Sequence, residues 1–220
     1  MLTVAFETSS RPGSVAVGDG SRVLAAALDE ERMHARDLLP ALDRLLAELG
    51  ARAADVRAVI VGTGPGSYTG LRVGIATALG LARATNALLR GVPSGECTAF
   101  AELAPGGEAV ILVDARQDEI YFAHYRRTAS EVETVRARCV LAAADVAAAV
   151  PGGVAVFADE AAADAARLTV EQRSRTRPVI ASAGALLELG AARIRRAGPH
   201  APHEIEPLYL RPFAVSKRRR

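Results

Sequence analysis

The run from Gly62 to Gly74 reads GTGPGSYTGLRVG and lies between a β-branched stretch, Val59-Ile60-Val61, and an Ala- and Leu-rich stretch, Leu71 to Thr85. A strand feeding a glycine loop that opens a helix aims backbone N–H groups outward at the positive end of the helix dipole, which suits an anion. Three familiar loops fail against the letters. A mononucleotide P-loop needs a lysine to reach the terminal phosphates, and none stands nearby. The dinucleotide fingerprint needs a third glycine where Ser67 or Thr69 stands. A nucleophile elbow needs glycines two residues either side of Ser67, where Pro65 and Thr69 are found. The plain alternative is a turn with Ser67 or Thr69 as helix N-cap.

Other reactive side chains are sparse. Cys97 and Cys139 are isolated thiols without metal-ligand spacing and read as small hydrophobes in a reducing compartment. Of His34, His124, His200 and His203 only the last two are close, on a proline-interrupted segment that reads as loop. By themselves these thiols and imidazoles offer no metal-ligand spacing, and the anion site at the glycine loop stays open beside the plain turn.

The elements that must carry these residues follow from periodicity. Leu2 to Phe6, Ser14 to Val17 and Val23 to Leu28 read as three strands joined by turns at Glu7–Gly13 and at Asp19-Gly20. Leu38, Leu42, Leu45 and Leu49 recur at helical spacing, widened by Leu39 and Leu46, so Asp37 to Leu49 is an amphipathic helix. Gly50 closes it, and Pro40 fits only its first turn. Composition loosens from Gly91 to Gly95, which sets a boundary near residue 100 between lobes at 1–100 and 101–220. Beyond it, Val110 to Val113 and Ile120 to Tyr125 form a hairpin, and Leu141 to Val150 is helical. Val154 to Phe157 is a strand, and Glu160 to Leu168 and Ala183 to Ala197 are helices. Hairpins followed by helices in each half predict an α/β protein of two related lobes, although the letters do not align as a repeat.

With 220 residues and 50% hydrophobic content the chain has ample core. No stretch approaches a membrane span, and MLTVAFETSS lacks a basic flank and cleavage site, so a cytoplasmic protein is expected. The formal charge of +2 becomes −2 once Lys217, Arg218, Arg219 and Arg220 are set aside. That basic tail suits a polyanion such as RNA, or is merely solvated. Lys217 is the only lysine among 27 basic residues, so the arginines alone do not mark a nucleic-acid surface.

Three separated motifs resemble the TsaB (YeaZ) family, the noncatalytic partner in bacterial tRNA threonylcarbamoyladenosine synthesis. The family's Gly-Pro-Gly-Ser-Phe/Tyr-Thr-Gly loop and its Leu/Val-Arg-Ile/Val-Gly continuation are filled from Gly64 to Gly74. Asp114-Ala115-Arg116 with Glu119-Ile120-Tyr121 resembles its Asp-Ala-Arg hairpin, and Glu206-Pro207-Leu208-Tyr209-Leu210-Arg211 its C-terminal motif. The resemblance implies the two-lobed actin-like ATPase (ASKHA) fold of actin, hexokinase and the heat-shock ATPases, each lobe a mixed β-sheet with packed helices. It also implies a TsaD-like transferase as partner, a TsaE-like ATPase in the wider complex, and tRNA met indirectly or through the tail. In that family TsaD transfers a threonylcarbamoyl group to N6 of the adenosine beside the anticodon.

The same resemblance implies what this chain lacks. The transferase carries His-x-x-x-His after the glycine-loop helix, a spacing that lets two imidazoles share a metal, and Ser94 and Thr98 fall there in this chain. Fold relatives that use ATP carry an acid and a glycine in the first hairpin, whereas Glu7-Thr8-Ser9-Ser10 supplies only the acid, and TsaB sequences more often have Asp at the Glu7 position. Glu7, Thr8, Gly64, Gly66, Ser67, Thr69 and Gly70 are thus expected to form a degenerate anion-facing loop. Leu38, Leu42, Leu45 and Leu49, with the small residues Gly74, Ala78 and Ala82, are the expected partner interface, also open to a homodimer. The alternative is that both stripes face the protein's own sheet. The function expected is a catalytically silent scaffold subunit; its rivals are an ATP-binding phosphotransferase or ATPase of the same fold and a glycoprotease-like peptidase.

Overall fold

The computed structural model describes residues 1–29 and 34–208. Continuous apolar runs become central strands, as expected where both faces of a sheet are covered. Five strands, β1 (Thr3–Glu7), β2 (Ser14–Gly18), β3 (Val23–Ala27), β4 (Ala58–Gly62) and β5 (Leu88–Val92), form one sheet in the order β3-β2-β1-β4-β5. β1 pairs antiparallel with β2 and parallel with β4, and β4 is parallel to β5. Five more, β6 (Glu108–Arg116), β7 (Glu119–Arg127), β8 (Val132–Ala142), β9 (Ala155–Ala158) and β10 (Thr176–Pro178), form a second sheet in the order β10-β9-β6-β7-β8. Its pairing repeats that of the first strand for strand: β6 antiparallel to β7, β7 to β8, and β6–β9–β10 parallel. Two mixed sheets of the same topology are the two-lobed actin-like arrangement.

The alternation of side chains along each strand sorts the core into layers. Val4, Phe6, Val15, Val17, Val59 and Val61 face α1 (His34–Glu48) and α2 (Tyr68–Thr85). Ala5, Ala16, Ala58 and Ile60 face the other way, onto α7 (Ala183–Ala197) and α3 (Ser94–Glu102), with Ile111, Ala123 and Phe157 of the second sheet closing that layer. Beyond the second sheet, Val110, Leu112, Ile120 and Phe122 meet the short helices α4 (Val146–Ala149) and α5 (Glu160–Ala165). Gly190 lets α7 lie directly on β4, because a Cβ there would come far inside 3.0 Å of Ile60. α6 (Val170–Ser174) is capped by Thr169 and leads into β10.

Several expectations are corrected. α1 begins at His34, so Pro40 lies in the second turn; its side chain is exposed, and lacking an N–H it leaves one helical carbonyl without its usual donor. The loosened segment after Gly91 holds α3, whose first six residues are all buried. Leu141 and Ala142 end β8 instead of starting a helix, because pairing with β7 overrides their helical preference. Gly50 does close α1: the N–H groups of Gly50 and Ala51 donate to the carbonyls of Ala47 and Leu46 in a Schellman arrangement, with φ +68° at the glycine.

Candidate functional site

The glycine loop is built around the end of β1. A Cβ at Gly62 would come far inside 3.0 Å of the Glu7 carboxylate, at Gly66 of the Ser9 carbonyl, at Gly70 of the Thr8 carbonyl, and at Gly74 of the Thr8 hydroxyl. The spacing of four residues therefore seats the β1–β2 turn on the loop and on the first turns of α2. Hydrogen bonds fasten it. Ser67 N–H donates to the Ser9 carbonyl (2.7 Å), the Thr8 hydroxyl to the Gly70 carbonyl (2.8 Å), and Gly64 N–H to Ser94 Oγ (3.1 Å). Ser67 is the N-cap of α2, accepting from Gly70 N–H at 3.2 Å.

This packing corrects the anion-facing expectation. Glu7, Thr8, Gly64 and Gly70 are buried inside the protein, and Gly66, half-buried, with Ser67 and Thr69, exposed, remains at the surface. Where a phosphate cradle would open, the chain's own Thr8 and Ser9 sit. Glu7 Oε1 accepts from Ser9 N–H at 2.8 Å, and Oε2 has no hydrogen-bond partner among the described residues. Burial pushes the Glu7 carboxyl above its ordinary range, against the hydrogen bonds from Ser9, Ser94 and Thr8. A carboxyl enclosed in this way does not reach a nucleotide-bound cation, so these residues do not fit the metal-positioning role of ATP-using relatives.

Ser94 and Thr98 stand at i and i+4 on α3, both buried. Ser94 Oγ accepts from Gly64 N–H, and Thr98 Oγ1 has no partner among the described residues; neither replaces an imidazole. His124 is buried with Nε2 2.8 Å from Glu108 Oε2, and His200 Nδ1 accepts from Gly91 N–H at 3.3 Å. His203 lies on a short 3-10 turn, and the His34 side chain lies outside what is described. No group of three or more His, Cys, Asp or Glu suited to a metal occurs among the described residues. Cys97 is fully buried, which pushes its thiol well up, and both cysteines are free.

Between the lobes lies a cleft of about 970 Å³. Its first-lobe wall is Ser9 to Arg11 and Pro65 to Thr69, and its second-lobe wall includes Asp114, Arg116, Tyr121 and Asp159. The Asp-Ala-Arg hairpin turns through Arg116, Gln117 and Asp118 at φ +67°, +56° and +57°, a left-handed run of non-glycine residues. Asp114 holds it, accepting from Arg116 N–H at 2.9 Å with Oδ2 3.3 Å from Arg116 Nε. Asp159 accepts from Asp114 N–H (3.0 Å) and caps α5 through Ala162 N–H (2.7 Å). Burial raises the Asp159 carboxyl, with the charge of Asp114 adding to it. Both carboxylates are thus engaged by backbone and arginine, and no histidine or cysteine lines the cleft among the described residues.

The expected partner interface is also corrected. Leu38, Leu42, Leu45, Gly74, Ala78 and Ala82 are buried and Leu49 packs half-buried beside them, all on the first sheet's own core. The apolar stripe of α1 is consumed inside the chain. What faces outward is Leu39, 51% exposed, and on α2 Ala76, Gly80 and Ala84, a second small-residue stripe two positions out of phase with the first. Gly74, Ala78 and Ala82 share their face with Leu71 and Ile75, and packing on the sheet, with Thr8 against Gly74, turns that face inward. Of the C-terminal motif, Leu208 N–H donates to the Thr63 carbonyl at 2.8 Å. Tyr209 to Arg211 and the tail Lys217 to Arg220 lie outside the described residues. No described helix is long and apolar enough to cross a membrane.

Comparison with known proteins bears on this geometry. Residues 28–186 match the family model TsaD, tRNA N6-adenosine threonylcarbamoyltransferase. The chain is similar to the tRNA threonylcarbamoyladenosine biosynthesis protein TsaB of Escherichia coli, 33% identical over 129 residues covering 58% of this chain and 56% of that protein. It is similar to the TsaB of Haemophilus influenzae, 35% identical over 134 residues covering 58% and 55%. The match thus spans about half the length of these curated relatives. Among solved structures, YeaZ from Pseudomonas aeruginosa superposes with a TM-score of 0.82 at 27% identity, covering 95% of this chain and 99% of the other. With the family model matching most of its length, this chain belongs to the TsaD family and, within it, to the TsaB (YeaZ) group.

Proposed function

We propose that this chain is a noncatalytic scaffold subunit for N6-threonylcarbamoylation of the adenosine adjacent to the tRNA anticodon, acting in the cytoplasm by heterodimerising with and stabilising a TsaD-like transferase. The observation that carries this reading is the glycine loop filled by the chain's own β1–β2 turn, with Thr8 and Ser9 packed where a phosphate cradle would open. The names of the curated relatives supply the pathway. The outward faces of α1 and α2 supply the surface: with Ala76, Gly80 and Ala84 uncovered, a partner helix approaches α2 closely, and Leu39 offers an apolar anchor beside it. A second copy of this chain uses the same faces when the transferase is absent. A TsaE-like ATPase completes the assembly, and tRNA is met through the transferase or the basic tail.

Reconstitution tests the reading. With a TsaD-like transferase, a TsaE-like ATPase, the threonylcarbamoyl-adenylate donor and tRNA, omitting this chain is expected to abolish or strongly reduce modification. Undiminished modification refutes the proposal. The open cleft favours one rival, an ATP-binding enzyme of the same fold; stoichiometric binding of magnesium-ATP by calorimetry would establish that rival instead.

A further inference from the structure

The chain crosses between the lobes twice, through α3 and through the segment ahead of α7. Each crossing helix packs on the other lobe's side of the junction: α3 follows the first sheet but lies on the second, and α7 follows the second sheet but lies on the first. The two helices pack on each other, so a single apolar layer runs from Ala5 and Ile60 through Leu186, Leu189 and Cys97 to Ile111 and Phe157. Lobes joined by a small polar contact move relative to each other by default; a large apolar junction removes that freedom.

Charge closes the same junction. Glu96 of α3 receives Arg138 of β8 on Oε1 at 2.8 Å and Arg193 of α7 on Oε2 at 2.6 Å. Arg193 also donates from Nε and Nη2 to Glu131, just ahead of β8, at 2.9 and 2.6 Å, and Arg196 donates to the other Glu131 oxygen. The four links join three pairs of elements, and three of the four connect α3 or α7 to the second lobe's sheet edge. Glu96 and Arg193 are close to fully buried, so removing either leaves an uncompensated charge. Arg138 also hydrogen-bonds Tyr125, whose hydroxyl is pushed up to about 12 by burial and by Glu96.

We infer that the apolar layer and this five-residue ion cluster clasp the two lobes into one rigid body, so that the cleft keeps a fixed width and does not close on a ligand. The inference concerns the chain by itself and does not depend on the partner assignment. It adds a mechanical property to the fold: surfaces on α2 and on the second sheet are presented at a constant separation.

Spin labels test it. Ala84→Cys on α2 and Ala137→Cys on β8 place labels at exposed positions of the two lobes in a Cys139→Ser background, with buried Cys97 left unlabelled. Double electron–electron resonance is expected to give a single narrow distance, unchanged by magnesium-ATP and by salt up to about 0.5 M, since buried pairs are weakly screened. Two populations, or a shift on adding nucleotide, overturn the inference. Glu96→Gln with Glu131→Gln is expected to broaden the distribution at least twofold. A distribution as narrow as that of the parent overturns the role of the ion cluster. If the double variant does not fold, Arg196→Ala at the cluster's solvent edge is expected to broaden it measurably, and no broadening counts against the cluster in the same way.

Discussion

Alanine at Gly74 puts a methyl group far inside 3.0 Å of the Thr8 hydroxyl and 3.3 Å from Thr8 Cβ. Thr8 is fully buried and its hydroxyl donates to the Gly70 carbonyl, so the side chain has no free rotamer to retreat into without breaking that bond. Three effects compete. Alanine in a helix gains about 1 kcal/mol over glycine. Overpacking costs about 1–3 kcal/mol. A buried hydroxyl or carbonyl left unpaired costs about 1–3 kcal/mol more. The net is a destabilisation of roughly 1–5 kcal/mol, which in a chain of this size lowers the melting temperature by several degrees for each 2 kcal/mol or so. Gly80 lies on the same helix with nothing within 4 Å of an added Cβ, so Gly80→Ala gains the helical term alone, about 1 kcal/mol of stabilisation. Urea unfolding of both variants, with Thr8→Ala combined with Gly74→Ala as a rescue, measures the difference. Equal stability of the two single variants, or no rescue by the shortened Thr8, refutes the reasoning that the glycine pattern exists to seat the β1–β2 turn.

Three further outcomes are expected. Leu38→Ala, at a side chain 1% exposed, costs about 2–5 kcal/mol in denaturant melts, whereas Leu39→Ala leaves stability within about 0.5 kcal/mol and weakens pull-down of the transferase partner. Glu7 has its folded-state pKa raised by burial, so the stability it contributes is complete below its ordinary value of 4.5 and is lost as pH rises through the higher folded value. Glu7→Gln therefore gains on the parent across that rise in thermal melts, and parallel pH profiles count against the buried carboxyl. Truncation after Val215 removes four positive charges, and the salt dependence of tRNA binding is expected to fall by up to about 3 units in log–log slope; an unchanged slope places the tail away from RNA.

Strands covered on both faces and helices covered on one were the legible parts of the fold. Val59-Ile60-Val61 and the Ala183–Ala197 helix carry apolar runs or stripes that need no partner to be recognised. α3 was hidden because Ser94 to Ala99 are buried all round and show no stripe. β8 was hidden for the opposite reason: Glu133 to Ala137 are exposed on both faces of an edge strand, so no alternation survives. The repeat of one topology in both lobes was legible in the order of elements but not as aligned letters, since a strand position asks only for apolar residues, and Phe6 and Leu112 satisfy equivalent places equally well. At the site, the motif was plain but its meaning was not. Glycines that admit a phosphate and glycines that admit another stretch of chain look alike until Glu7, Thr8 and Ser9 are placed against them.

The position of α7 has a consequence for synthesis. It is made after every strand of both sheets, yet it covers the inner face of the first sheet, resting on Ala5, Ala16 and Ile60. A ribosome that has released only the first lobe has therefore exposed a sheet with one apolar face bare, so the first lobe's core is not complete until α7 is made. Until α7 arrives, that apolar face is the surface on which the early strands can meet other chains.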